Sequence, residues 1–141
     1  MRYAIGMCMC AVTLVLVEGC ARPGAVEEAQ KTLNADVLVR MSGVSFVPKH
    51  VTIKAGQSVE WNNTAALETH TVTADPELAK TSTSVALPAG AATFNSGDLK
   101  PGQTFRYVFT VPGTYRYFCI PHERMGMIGE VEVVAVPAAQ P

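Results

Sequence analysis

The chain has 141 residues, enough for one domain able to bury its own core and too few for two of ordinary size. Eleven cations against twelve anions leave a formal net charge of −1, with no basic stripe and no run of one sign, which argues against nucleic acid or a highly charged surface as partner. Cys8, Cys10 and Cys20 fall in or at the end of an N-terminal apolar segment, so Cys119 stands alone in the body, where it has no internal disulfide partner.

The N-terminus opens with Arg2 and continues as an uncharged, mostly apolar run from Tyr3 to Val17. That run is shorter than the ~20 residues a membrane-spanning helix needs. With one cation ahead of it, the pattern predicts a cleaved export signal over residues 1–20. Val17-Glu18-Gly19-Cys20 resembles a bacterial lipobox, although Glu18 stands where that motif has a small uncharged residue. Two fates are open: lipidation of Cys20, which tethers the protein to a membrane, or ordinary cleavage around Gly19-Cys20-Ala21. Either predicts a periplasmic or other extracytoplasmic location. Residues 21–35 are polar, carry an early Pro23-Gly24 and lack period-2 alternation, the composition of a flexible tether.

From Asp36 to Val136 the pattern is that of strands, followed by a short tail over 137–141. Val37, Val39 and Met41 alternate with Leu38 and Arg40; Val51-Thr52-Ile53 follows the break at Pro48. Ala55-Gly56 turns the chain into Ser58–Trp61, where Val59 and Trp61 share one face, and Asn62-Asn63-Thr64 closes that strand. His70–Thr73 is again short and β-branched. Residues 75–97 are the least regular: a helical turn is predicted over Pro76–Lys80, with turns at Pro88-Ala89-Gly90 and Asn95-Ser96-Gly97. A connection of that length in a compact domain is expected to fold over one face. Gln103–Val111 places Phe105, Tyr107 and Phe109 together, Pro112-Gly113 turns into Thr114–Cys119, and Ile128–Val136 closes the body. Seven or eight short strands with almost no helix predict an all-β fold, a β-sandwich.

The chemistry concentrates in Cys119–Met127, C-I-P-H-E-R-M-G-M. Cys119 shares strand parity with Tyr115 and Tyr117, so its sulfur is predicted on the core-facing side, and Phe118 outward. His122 follows Pro121, which stiffens the backbone ahead of the imidazole. Cys-x-x-His alone also suits zinc. A thioether nearby turns the expectation toward copper, because two imidazoles and a thiolate with a weak axial methionine form a blue-copper set. Met127, at the start of the closing strand, is the favoured axial residue, and Met125 is its rival. His70 is the distant imidazole; His50, beside Lys49 and before a strand, reads as an exposed histidine.

These residues sit in longer matching pieces: F-V-P-K-H-V-T-I-K-A-G-Q-S-V-E-W-N-N, H-T-V, P-G-T-Y-R-Y-F-C-I-P-H and G-M-I-G-E-V-E-V, in that order. From about Val37 to Val134 the body resembles the plastocyanin-like branch of the cupredoxins. The resemblance implies a Greek-key β-sandwich and one type 1 copper ion held by His70, Cys119, His122 and Met127. It also implies single-electron transfer between redox proteins, such as cytochromes or a copper or haem oxidoreductase. Thr71 stands where many plastocyanins carry an asparagine that ties the ligand loops, so that tie is expected to be weaker or rebuilt. The acidic patch of plant plastocyanins is missing, and relatives with shorter ligand loops place the methionine where Met125 stands. A monomeric electron carrier outside the cytoplasm is the expectation; copper storage or delivery by the same ligands is the alternative. Nothing around Cys119 and His122 suggests an oxyanion site for a nucleophilic enzyme, and no His-x-His pair offers sites for further coppers. Ile120, Pro121, Met125 and Leu67 are expected to form the apolar shell, with His122 as the edge for electron passage and Phe118 as a second exit.

Overall fold

A computed structural model describes residues 36–137; the predicted signal, lipobox, tether and most of the tail lie outside the described residues. Nine strands follow in order: β1 (Val37–Ser42), β2 (Ser45–Val47), β3 (His50–Lys54), β4 (Ser58–Asn63), β5 (Thr73–Ala74), β6 (Phe94–Asn95), β7 (Thr104–Val108), β8 (Gly113–Phe118) and β9 (Ile128–Val134). One sheet runs β2-β1-β4-β7 and the other β3-β9-β8-β5-β6. Pairs β1–β4 and β3–β9 are parallel and the rest antiparallel, so the chain passes repeatedly between sheets in the expected Greek-key manner.

The strand count exceeds the seven or eight expected because two elements are too short to show a period. Phe94–Asn95, next to a predicted turn, pairs with β5 through Ala74↔Phe94 and Thr73↔Asn95. Ser45–Val47 folds back on β1, placing Phe46 opposite Met41. The closing strand ends at Val134, short of Val136, because its partner β3 ends at Lys54.

The inner faces supply an aromatic core. Trp61 of β4 lies edge-on to Tyr117 of β8, with centroids 5.2 Å apart, and packs at 5.9 Å from Phe105 and 6.2 Å from Phe109. Burial of this kind gives a rigid, unvarying interior; deleting the Trp61 ring is expected to cost about 3–5 kcal/mol. Tyr117 sits directly over Gly129 of the paired strand β9, so close that any Cβ at 129 would collide with its ring.

Residues 75–93 form a strap that pairs with the edge of β8 through Ala86 and Arg116. Where a helical turn was predicted over Pro76–Lys80, the chain makes a single turn closed by the Leu78 N–H on the Asp75 carbonyl, 3.2 Å. The Asp75 carboxylate takes the Glu77 N–H at 3.0 Å, an interaction that competes with helix propagation. A 3-10 turn at Ser82–Ser84 follows, and Ala86 then exchanges two backbone hydrogen bonds with Arg116 of β8. Burial corrects one expectation. Phe118 is 0% exposed, although Thr114 on the same face of β8 is exposed and Arg116 half-buried. A solvent-facing exit at Phe118 does not exist.

Candidate metal centre

Cys119 is the first residue beyond β8 and caps a 3-10 segment, Ile120–Met125, with extended dihedrals (φ −98°, ψ 118°). Its carbonyl accepts the His122 N–H at 3.1 Å, which curls the chain so that the imidazole returns toward the thiol. Gly126 ends the segment in the left-handed region at φ 80°, a conformation glycine adopts without strain. Past that turn the Met127 N–H reaches the His122 carbonyl at 3.3 Å, and the Met127 carbonyl accepts the Cys119 N–H at 3.1 Å. Backbone bonds alone therefore close a ring that contains Cys119, His122 and Met127.

His70 arrives from the other end of the chain. A two-way backbone bridge to Leu99, 3.0 and 2.8 Å, fixes its main chain. Ahead of it, the loop from 64 to 69 is shaped by Asn63, whose amide donates to the carbonyls of Glu68 and Leu99, both at 2.8 Å, while its oxygen accepts the Ala65 N–H at 3.0 Å.

The three donor groups converge. His70, Cys119 and His122 present ligand atoms all within 4.8 Å of one another. Cys119 Sγ lies 3.3 Å from His122 Nδ1 and 3.6 Å from His70 Nδ1. Metal–sulfur and metal–nitrogen bonds of about 2.3 and 2.0 Å meeting at about 100–120° would separate S from N by about 3.3–3.8 Å. Both distances fall in that window, so the residues fit a first-row ion. Cys119 and His70 are wholly buried, and His122 is half-buried.

Met127 is fully buried beside this cluster whereas Met125 is 64% exposed, and His50 stands apart on the surface, 3.7 Å from Glu130. Ile120 is half-buried, but Leu67 is 88% exposed, so neither Leu67 nor Met125 shields the centre as expected of an apolar shell. They stand outward from loops flanking the site.

Electrostatics follow from burial. The Cys119 thiol is pushed up by desolvation, against the hydrogen bonds it receives from the Thr71 and His122 backbone. Desolvation, helped by the neighbouring His122, pushes His70 below the usual histidine range, opposed by Glu68. Without metal the pair therefore rests as thiol and neutral imidazole, and an incoming cation must displace the thiol proton.

Three supporting residues were not singled out as such in the sequence. Asn63 read as the end of a strand. Thr71, read as a departure, rebuilds the tie between loops: its hydroxyl accepts the Ile120 N–H at 2.8 Å and its own N–H points to Cys119 Sγ at 3.4 Å. Glu123 drew no reading of its own, yet is only 5% exposed. Burial raises its proton affinity, but hydroxyls of Ser84 and Thr81 and the N–H groups of Lys80 and Thr81 outweigh that and hold it below the usual range.

A family model described as copper binding proteins of the plastocyanin/azurin family matches residues 33–134. The chain belongs to that family. Copper is accordingly its cofactor, in keeping with the sulfur–nitrogen donor set. The chloroplastic plastocyanin of Tetradesmus obliquus is 35% identical over 123 residues, covering 84% of this chain and 76% of that protein. The chloroplastic plastocyanin of Oryza sativa subsp. indica is 33% identical over 100 residues, or 70% of this chain; the match spans only 62% of the rice protein's length. Among solved structures, amicyanin of Paracoccus versutus superposes with a TM-score of 0.56 at 29% identity, covering 72% of this chain and 84% of amicyanin.

Proposed function

We propose that the chain is a one-electron carrier working outside the cytoplasm, in which His70, Cys119 and His122 hold a type 1 copper ion and Met127 supplies the axial thioether. The observation that carries this reading is the thiol with two Nδ1 atoms at 3.3 and 3.6 Å in a site where only His122 approaches the surface. A copper ion held by these residues would supply one-electron redox chemistry. The chain's part is to keep the ligands still: the β8 end, the Leu99 bridge and the closed loop each fix one donor by backbone bonds, so little rearrangement accompanies the change.

His122 lines a shallow cleft with Glu68, Lys80, Asp98, Ile120 and Pro121. With Phe118 covered, this edge is the route by which the electron leaves, and the exposed Met125 and Leu67 beside it offer apolar contact to a redox protein such as a cytochrome or a copper or haem oxidoreductase. Replacing Met125 with lysine is expected to slow reduction by a partner several-fold while leaving the colour intact; unchanged rates would remove the docking face from the proposal. Reversible one-electron reduction distinguishes a carrier from a copper store, which would hold the ion without cycling.

The same reading divides the chain into an export leader (1–20), a tether (21–35), a copper-binding body (36–136) and a tail (137–141). The body acts as a monomer, with membrane attachment through Cys20 if that residue is lipidated. The mass of the mature N-terminus decides between lipidation and plain cleavage.

A further inference from the structure

Glu123 follows His122 directly, and a buried carboxylate is costly unless it is fully hydrogen-bonded. Neither of the ion pairs His50–Glu130 and Arg116–Glu130 involves Glu123. Its oxygens are held instead by the strap. The Lys80 N–H lies 3.0 Å from both oxygens, and the Thr81 N–H and hydroxyl lie 3.0 and 3.1 Å from Oε1. Thr81 Oγ1 is in turn 2.7 Å from the Ser84 hydroxyl, which anchors the donor in the 3-10 turn. Every one of these partners is 39 to 43 positions earlier in the chain, on a segment that contributes no ligand.

On the copper reading given above, we infer that Glu123 is a positioning residue: its carboxylate latches the ligand loop to the strap and so fixes the backbone from which His122 projects. The loop is short and exposed on either side of this point, since Pro121, Arg124, Met125 and Gly126 all face solvent. The Ile120 N–H on Thr71 ties the start of the loop; at Glu123 it is tied by the strap, itself bonded to β8 through Ala86 and Arg116. The exposed half of the metal site thereby borrows the rigidity of the second sheet.

The test compares wild type with Glu123→Gln, which keeps shape and the acceptor at the Oε1 position but removes the charge and turns a donor toward the Lys80 amide, and with the milder Thr81→Val, which keeps the carboxylate and removes one hydroxyl. In the metal-free proteins, hydrogen exchange at the Lys80 amide is expected to quicken about tenfold in Glu123→Gln, the loss of one ordinary hydrogen bond, and by a smaller factor in Thr81→Val. In the copper-loaded proteins, the hyperfine lines of the copper electron-spin spectrum are expected to broaden in both variants as His122 samples more orientations. Unchanged exchange overturns the latch. Faster exchange with a wild-type spectrum in both variants overturns the positioning role and leaves Glu123 a structural residue only. If Glu123→Gln fails to fold, Thr81→Val carries the same two readouts. A wild type that takes up copper without a thiolate band overturns the copper reading, and the inference with it, before any variant is compared.

Discussion

Thr71 shows how one side chain can replace another at the centre of a metal site. Its backbone N–H reaches the Cys119 sulfur and its hydroxyl takes the Ile120 N–H, so a single threonine contacts the sulfur and joins the His70 segment to the ligand loop. A second hydroxyl, that of Thr73, backs it at 3.2 Å. Thr71→Val retains the N–H and the shape but leaves the part-buried Ile120 amide unpaired, which is expected to cost about 1–3 kcal/mol in denaturant unfolding. Stability within 0.5 kcal/mol of wild type, a typical surface-substitution effect, would show that the hydroxyl ties nothing. At this scale the sequence was informative for the donors and silent about their supports. Cysteine, histidine and methionine are rare enough in a chain of this kind that spacing alone brought Cys119, His122 and Met127 forward. Asn63, Thr71 and Glu123 are common residue types whose roles come from partners far along the chain, and no local period marks them.

Strands carry the next level. Alternation in 58–61 and 114–119 correctly set Val59, Trp61, Tyr115 and Tyr117 inward, and so aimed Cys119 at the core. The same rule set Phe118 on the opposite side, where it stands. What period 2 could not convey is that this end of β8 is buried: Phe118 is 0% exposed while Thr114 on the same face is exposed. Pointing away from the core and facing water are different conditions, and alternation reports only the first. The β8–β9 pair is the tightest test of the packing. Gly129 has no room for a methyl group under the Tyr117 ring. Gly129→Ala is therefore expected to lower stability by about 1–3 kcal/mol through overpacking. A measured loss near zero would mean that Tyr117 can shift, and that the core is softer than its aromatic contacts indicate.

The whole domain has a pH window written into its metal site. The native His70 pKa lies below its unfolded value near 6.5, so as pH falls through that region the unfolded chain binds the extra proton first and stability declines. Cys119 is raised in the native state, so above roughly pH 8.5 the unfolded chain releases its proton first and stability declines again. The metal-free protein is expected to be most stable between these limits, and thermal unfolding across pH 5–10 measures it. A profile that rises continuously above pH 9 would contradict the burial of the thiol. Copper uptake adds the complementary trend: since the ion displaces the thiol proton, affinity is expected to strengthen as pH rises.

The most direct measurement is the visible spectrum of the copper-loaded protein beside that of Cys119→Ser. An intense band toward the red end, present in wild type and lost when the sulfur is replaced, is the expected result. A colourless wild type that prefers zinc to copper would contradict the account at its centre.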